Sequence, residues 1–134
     1  MFKLGDVVDK KKADSLNPVV LAFIGDAVFS LYVREKLSLN SDFKTGELNK
    51  RAVSEVNAKA QAEFVKEIFP ILTEEEVAIF RRARNAKKTT KSKSASITEY
   101  HLSTGFEAVL GYLYITGDLT RLNYILTRGK DVEN

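Results

Sequence analysis

The segment Pro18-Val19-Val20-Leu21-Ala22-Phe23-Ile24-Gly25-Asp26-Ala27-Val28-Phe29-Ser30-Leu31-Tyr32-Val33 holds a single charge, Asp26. Asn17 before Pro18 is a helix cap followed by a first-turn proline, so a helix starts there and runs to about Leu37. Leu21, Ile24, Val28 and Leu31 fall on one stripe at helical spacing, and Val20, Phe23 and Ala27 form a second row beside it. A helix that is apolar nearly all round belongs at the centre of a core. Sixteen residues that include an aspartate are too short, and wrongly charged, to span a membrane.

Working outward, helical periodicity continues. Ser38 to Gly46 is polar and reads as a loop. A long helix is predicted from Glu47 to Phe69, ending before Pro70, with Leu48, Ala52, Val56, Ala60, Phe64 and Ile68 on one face. Thr73 with Glu76 forms a capping box for a helix to about Ala86, its acids at the positive end and its arginines near the negative end. Lys87 to Ser94 reads as a loop. Ser96 with Glu99 is a second capping box, although Thr98 is also a possible start; that helix ends near Gly117. Asp118 to Thr127 forms a last helix, closed by Gly129. No segment alternates as a strand does. The expected fold is all-α, with five to seven helices in one domain spanning residues 1–134 and a core of about 16–127.

Composition narrows the chemistry. The chain of 134 residues has no cysteine and one histidine, His101. Disulfides, thiol nucleophiles and multi-histidine metal sites are excluded, and any metal must be held by oxygen ligands, which favours magnesium or manganese. The net charge of +3 is unevenly distributed. Arg81, Arg82, Arg84, Lys87, Lys88, Lys91 and Lys93 stand with no acid between Glu76 and Glu99. These are 7 of the 21 cations, leaving 14 against 18 acids elsewhere. A local basic patch on an acidic body suits a polyanion, although a solvated loop has the same composition. The start Met1-Phe2-Lys3-Leu4-Gly5-Asp6 lacks the apolar core of a secretory signal, so the cytoplasm is the expected compartment.

Two acids are out of place. Asp26 in its apolar helix must pair, bind a cation or face a cleft, because burying it alone costs several kcal/mol; pairing with an arginine or capping a neighbouring helix is the purely structural alternative. Glu107 repeats the pattern as the only charge between Gly105 and Thr116. Each acid stands near glycines: Gly25 beside Asp26, and Gly105 and Gly111 around Glu107. If these glycine faces pack together, the two carboxylates can converge on one divalent cation whose remaining ligands are water. Such a cation beside a cationic loop suits phosphodiester hydrolysis, with a binding affinity that falls as salt rises.

At these residues the chain resembles the ribonuclease III family. Leu21-Ala22-Phe23-Ile24-Gly25-Asp26-Ala27 is similar to the signature helix of its catalytic domains. Phe106-Glu107-Ala108-Val109-Leu110-Gly111-Tyr112 is similar to their second acidic motif. The resemblance is closest to the Mini-ribonuclease III branch, in which the catalytic domain stands without a double-stranded-RNA-binding domain. The length, Arg82-Ala83-Arg84-Asn85-Ala86-Lys87 and Tyr100-His101-Leu102-Ser103-Thr104 also fit that branch. Two departures accompany the match: the larger enzymes carry a Glu where Ala22 stands and an Asp where Thr104 stands.

The resemblance implies a homodimer that cuts both strands of an RNA duplex. The hydrolysis is magnesium-dependent, with manganese as a substitute, and leaves 5′-phosphate ends. The implied substrate is the 23S ribosomal RNA precursor, with a large-subunit ribosomal protein as an admissible partner. It makes Asp26 and Glu107 the catalytic and metal-binding residues. It assigns Arg82, Arg84, Asn85, Lys87, Lys88, Lys91 and Lys93 to RNA contact, reading shape, 2′-hydroxyls and phosphates rather than base edges. Lys50, Arg51 and Asn57 are further candidate contacts. The competing reading is an RNA-binding or ribosome-assembly factor on the same fold that has lost catalysis. A helical DNA-binding regulator fits less well, because it leaves both acids unexplained.

Overall fold

The computed structural model describes residues 3–86 and 96–130. The described residues form seven α-helices and contain no strand. They are α1 (Lys10–Ser15), α2 (Pro18–Leu39), α3 (Thr45–Val56), α4 (Ala58–Ile68), α5 (Glu74–Ala86), α6 (Ile97–Ile115) and α7 (Leu119–Leu126), with a 3-10 turn at Phe69–Ile71 between α4 and α5. The sequence signals operate as expected at most helix starts. The Asn17 side chain accepts from the Val19 N–H ahead of Pro18. Both capping boxes are closed, Thr73 with Glu76 and Ser96 with Glu99.

Three features depart from the sequence reading. The predicted helix from Glu47 to Phe69 is two helices. Asn57 leaves helical backbone geometry (φ −71°, ψ 164°), and its side chain accepts from the Ala60 N–H at 2.8 Å, so an N-cap interrupts the run. The short α1 lacks an apolar stripe long enough to announce it. It is capped by Asp9 and inserts only Ala13 into the core. The third departure concerns α2, which is not enclosed on all sides. Leu21, Ala22, Gly25, Val28, Phe29 and Val33 are buried, whereas Val20, Phe23, Ala27 and Leu31 face outward, with Phe23 81% exposed.

α6 is the central element and packs on α2, α5 and α4. Its approach to α2 is closer than side chains allow. A Cβ added to Gly25 would overlap the Glu107 carbonyl oxygen and stand 2.9 Å from the Gly111 nitrogen. One added to Gly111 would overlap the Leu21 carbonyl oxygen. Gly105 gives α5 similar access, since a Cβ there would stand 2.9 Å from the Phe80 ring and from its carbonyl oxygen. Below this crossing Phe29, Phe64 and Phe106 bring together α2, α4 and α6, with ring centroids 5.1 to 5.6 Å apart.

A buried ion pair ties α5 to α7. Glu76, 3% exposed, accepts from Arg121 Nε and Nη2, both at 2.8 Å, and from the Thr73 N–H. Burial pushes the Glu76 carboxyl up, but the hydrogen bonds from Arg121 and Thr73 outweigh it and hold the group below its usual range. A carboxyl so depressed stabilises the fold in full above the ordinary glutamate value of 4.5, and that contribution fades as the pH falls below it.

Two predictions follow from this packing. Gly25→Ala or Gly111→Ala should destabilise the chain by about 3 kcal/mol or more, because backbone must move to admit the methyl group. Gly46→Ala, with nothing within 4 Å of the added carbon, should stay within about 1 kcal/mol of the parent; urea denaturation compares the three. Arg121→Ala should cost about 3–5 kcal/mol at neutral pH by stranding a buried carboxylate. Thermal melts down to pH 3 should show that deficit shrinking as Glu76 takes up a proton.

Candidate active site

Asp26 on α2 and Glu107 on α6 stand at the crossing of the two helices. Gly25 lies against the Glu107 backbone, so the two acids leave adjoining stretches of chain. Asp26 is exposed and takes part in lining a groove with Leu4, Phe23, Ile24, Ala27, Val28, Leu31 and Tyr114. Glu107 is half-buried and accepts from Gln61 Nε2 on α4 at 3.1 Å. Of the fates open to Asp26 in the sequence, a fully buried ion pair is excluded by its exposure. Among the described residues no group of three or more His, Cys, Asp or Glu is placed to hold a metal. Asp26 and Glu107 are the two acids on the stretches of chain that meet at the crossing, and carboxylate oxygens are the donor type that a hard divalent cation takes.

The positions where the larger enzymes carry further acids are filled otherwise. Ala22 is packed into the core. Thr104 is buried, and its hydroxyl donates to the Tyr100 carbonyl at 3.0 Å; Ser103 donates to the same carbonyl at 2.8 Å.

The basic patch begins on the last turn of α5. Arg82 and Asn85 are exposed, and Arg84 donates through Nε to Asn85 Oδ1 at 3.1 Å. Lys87, Lys88, Lys91 and Lys93 lie outside the described residues. The other candidate contacts have structural partners. Arg51 pairs with Glu47 at 3.0 Å and stacks over the Phe43 ring at 4.0 Å, and Asn57 caps α4. Lys50 remains on an exposed helix face.

Gln61 escapes a reading of the sequence. It is 2% exposed, and its Nε2 donates to the Val56 carbonyl at 2.8 Å as well as to Glu107. Its place on the same row as Asn57 and the core-facing Phe64 was the only available signal, and an amide there reads equally well as a helix flank.

Comparison with known proteins gives the family and agrees with the fold. The Ribonuclease III domain matches residues 19–118. The chain is 49% identical to a Thermoanaerobacter Mini-ribonuclease 3 over 90% of its own length and 85% of the relative's. It is 43% identical to the Mini-ribonuclease 3 of Streptococcus pneumoniae, covering 84% of this chain and 89% of that one. The crystal structure of a Fusobacterium nucleatum protein, FN1578, superposes with a TM-score of 0.76 at 32% identity, covering 84% of this chain and 90% of that one. Ribonuclease III enzymes act on double-stranded RNA and generally use a divalent metal. This chain belongs to the ribonuclease III family, in its Mini-ribonuclease III branch, and is an endoribonuclease.

Proposed function

We propose that the chain is a magnesium-dependent, homodimeric endoribonuclease that acts on double-stranded RNA in the cytoplasm and trims both ends of the 23S ribosomal RNA precursor. The observation that carries this reading is the side-chain-free crossing of α2 and α6, which starts Asp26 and Glu107 from adjoining backbone. Asp26, exposed at the groove rim, acts as a ligand and orients the attacking water. Glu107, held from behind by Gln61, acts as the second ligand. Magnesium, when bound, lowers the pKa of a coordinated water and polarises the phosphoryl oxygen; manganese replaces it. Arg82, Arg84 and Asn85, with Lys87, Lys88, Lys91 and Lys93, hold the RNA backbone by phosphate contacts. Residues 1–134 act as one catalytic domain, and a large-subunit ribosomal protein presents the precursor.

Dimerisation is supported by the outward row of α2. Val20, Phe23 and Leu31 are exposed and apolar, and beside them lies a groove of about 450 Å³ that also receives Leu4 and Tyr114. A row of this kind is suited to burial against a second copy. Because Asp26 lines the same groove, this reading sets each active site beside the interface between the copies.

The filling of the Ala22 and Thr104 positions by packing and a backbone hydrogen bond is the one observation from which a non-catalytic RNA-binding role would be argued, and the family match outweighs it. A single experiment separates the two readings. Wild type should cleave an end-labelled duplex RNA in magnesium, leaving 5′-phosphates. Asp26→Asn and Glu107→Gln should lose more than the roughly 10- to 100-fold expected for removal of an outer-shell partner, while still binding the duplex. Binding without cleavage by the wild type, in magnesium and in manganese, would establish the non-catalytic role. Sedimentation equilibrium should give a dimer for wild type and a monomer for Phe23→Glu; a dimer in both would place the interface elsewhere.

A further inference from the structure

We infer that Gln61 is a positioning residue for the Glu107 carboxylate, setting its orientation for cation binding; this rests on the reading of Asp26 and Glu107 as metal ligands. Gln61 lies in the core side of α4, one turn after the Asn57 cap, and is almost wholly buried. Burying a primary amide carries a desolvation cost that an apolar residue of the same volume would avoid. Its Nε2 supplies two bonds, one to the Val56 carbonyl and one to Glu107 Oε2. The first anchors the amide to the end of α3, and the second transmits that anchorage to the carboxylate. Because an amide nitrogen donates and cannot accept, Glu107 Oε2 is held as an acceptor in one orientation. The amide's own oxygen, Oε1, is buried without a hydrogen-bond partner among the described residues. A helix-to-helix tie alone would not call for a donor aimed at this one acid. With Ala22 and Thr104 in place of acids, orientation of the remaining ligands carries more of the binding, and ligating carboxylates in metal sites are themselves commonly hydrogen-bonded.

The test reads the metal directly, without RNA. Free Mn2+ is measured by electron paramagnetic resonance during titration of wild type, Gln61→Met, Gln61→Asn and Glu107→Gln, with a thermal melt of each. Gln61→Met keeps the volume and should bind Mn2+ about 10- to 100-fold more weakly, with kcat on duplex RNA falling and KM for the duplex unchanged. Gln61→Asn keeps the donor one methylene short and should lie between. Wild-type affinity in both Gln61 variants would overturn the assignment. Wild-type affinity in Glu107→Gln would instead overturn the metal reading beneath it. Should Gln61→Met fail to fold, Gln61→Asn and the parent decide. In wild type, Mg2+ should shift the Gln61 side-chain amide resonances, and unmoved resonances would refute the assignment.

Discussion

At their closest approach two helices of this fold meet backbone to backbone. At the α2–α6 crossing Gly25 faces the Glu107 carbonyl and Gly111 faces that of Leu21, with no side chain between them. The glycines lower intrinsic helix propensity by about 1 kcal/mol each relative to alanine. In return the helix axes approach closely enough for acids on two separate elements to start from neighbouring backbone. A larger residue at either position would push the helices apart and separate Asp26 from Glu107 before it touched either carboxylate. The geometry of the crossing is therefore set by what is missing from it, and the acids beside it inherit that geometry.

The same logic extends to α5 and α4. Gly105 admits the Phe80 ring and backbone, which fixes α5 against α6 and sets where the cationic last turn of α5 emerges. The Glu76–Arg121 pair secures the other end of α5 to α7. α4 enters through the Phe29–Phe64–Phe106 cluster and carries Gln61 to Glu107. Three helices thus converge on α6 by three different contacts: backbone on glycine, ring on glycine, and amide on carboxylate. Only the last is polar, and it is the one that ends on Glu107.

Legibility in the sequence followed the range of each interaction. Signals confined to a few residues gave their elements: Asn17-Pro18 the start of α2, Thr73 with Glu76 that of α5, Ser96 with Glu99 that of α6. Solitary acids beside glycine marked the crossing, because a lone charge in an apolar helix demands an explanation whatever the fold. Contacts across long separations left little trace. Arg121 reaches Glu76 and Gln61 reaches Glu107 over 45 and 46 positions, and in sequence each is an ordinary polar residue on a helix flank. Asn57 misled for a local reason. The apolar spacing from Leu48 to Ile68 continues through it, so periodicity outweighed a cap that lacks a breaking proline or glycine.

The outward row of α2 shows why an apolar pattern alone does not place a helix. Val20, Phe23, Ala27 and Leu31 repeat at the same spacing as the buried stripe, and transfer free energy depends on the area removed from water, not on which chain removes it. A helix shared between the core of one copy and the surface of another has the same composition as a helix enclosed within one chain. What separates the two cases is the rim. Asp26 is exposed beside the outward row, where a charge stays hydrated, and a helix enclosed on all sides would leave it no such place. The one charge in the segment is thus also the mark that the helix has one face in the core and another outside it.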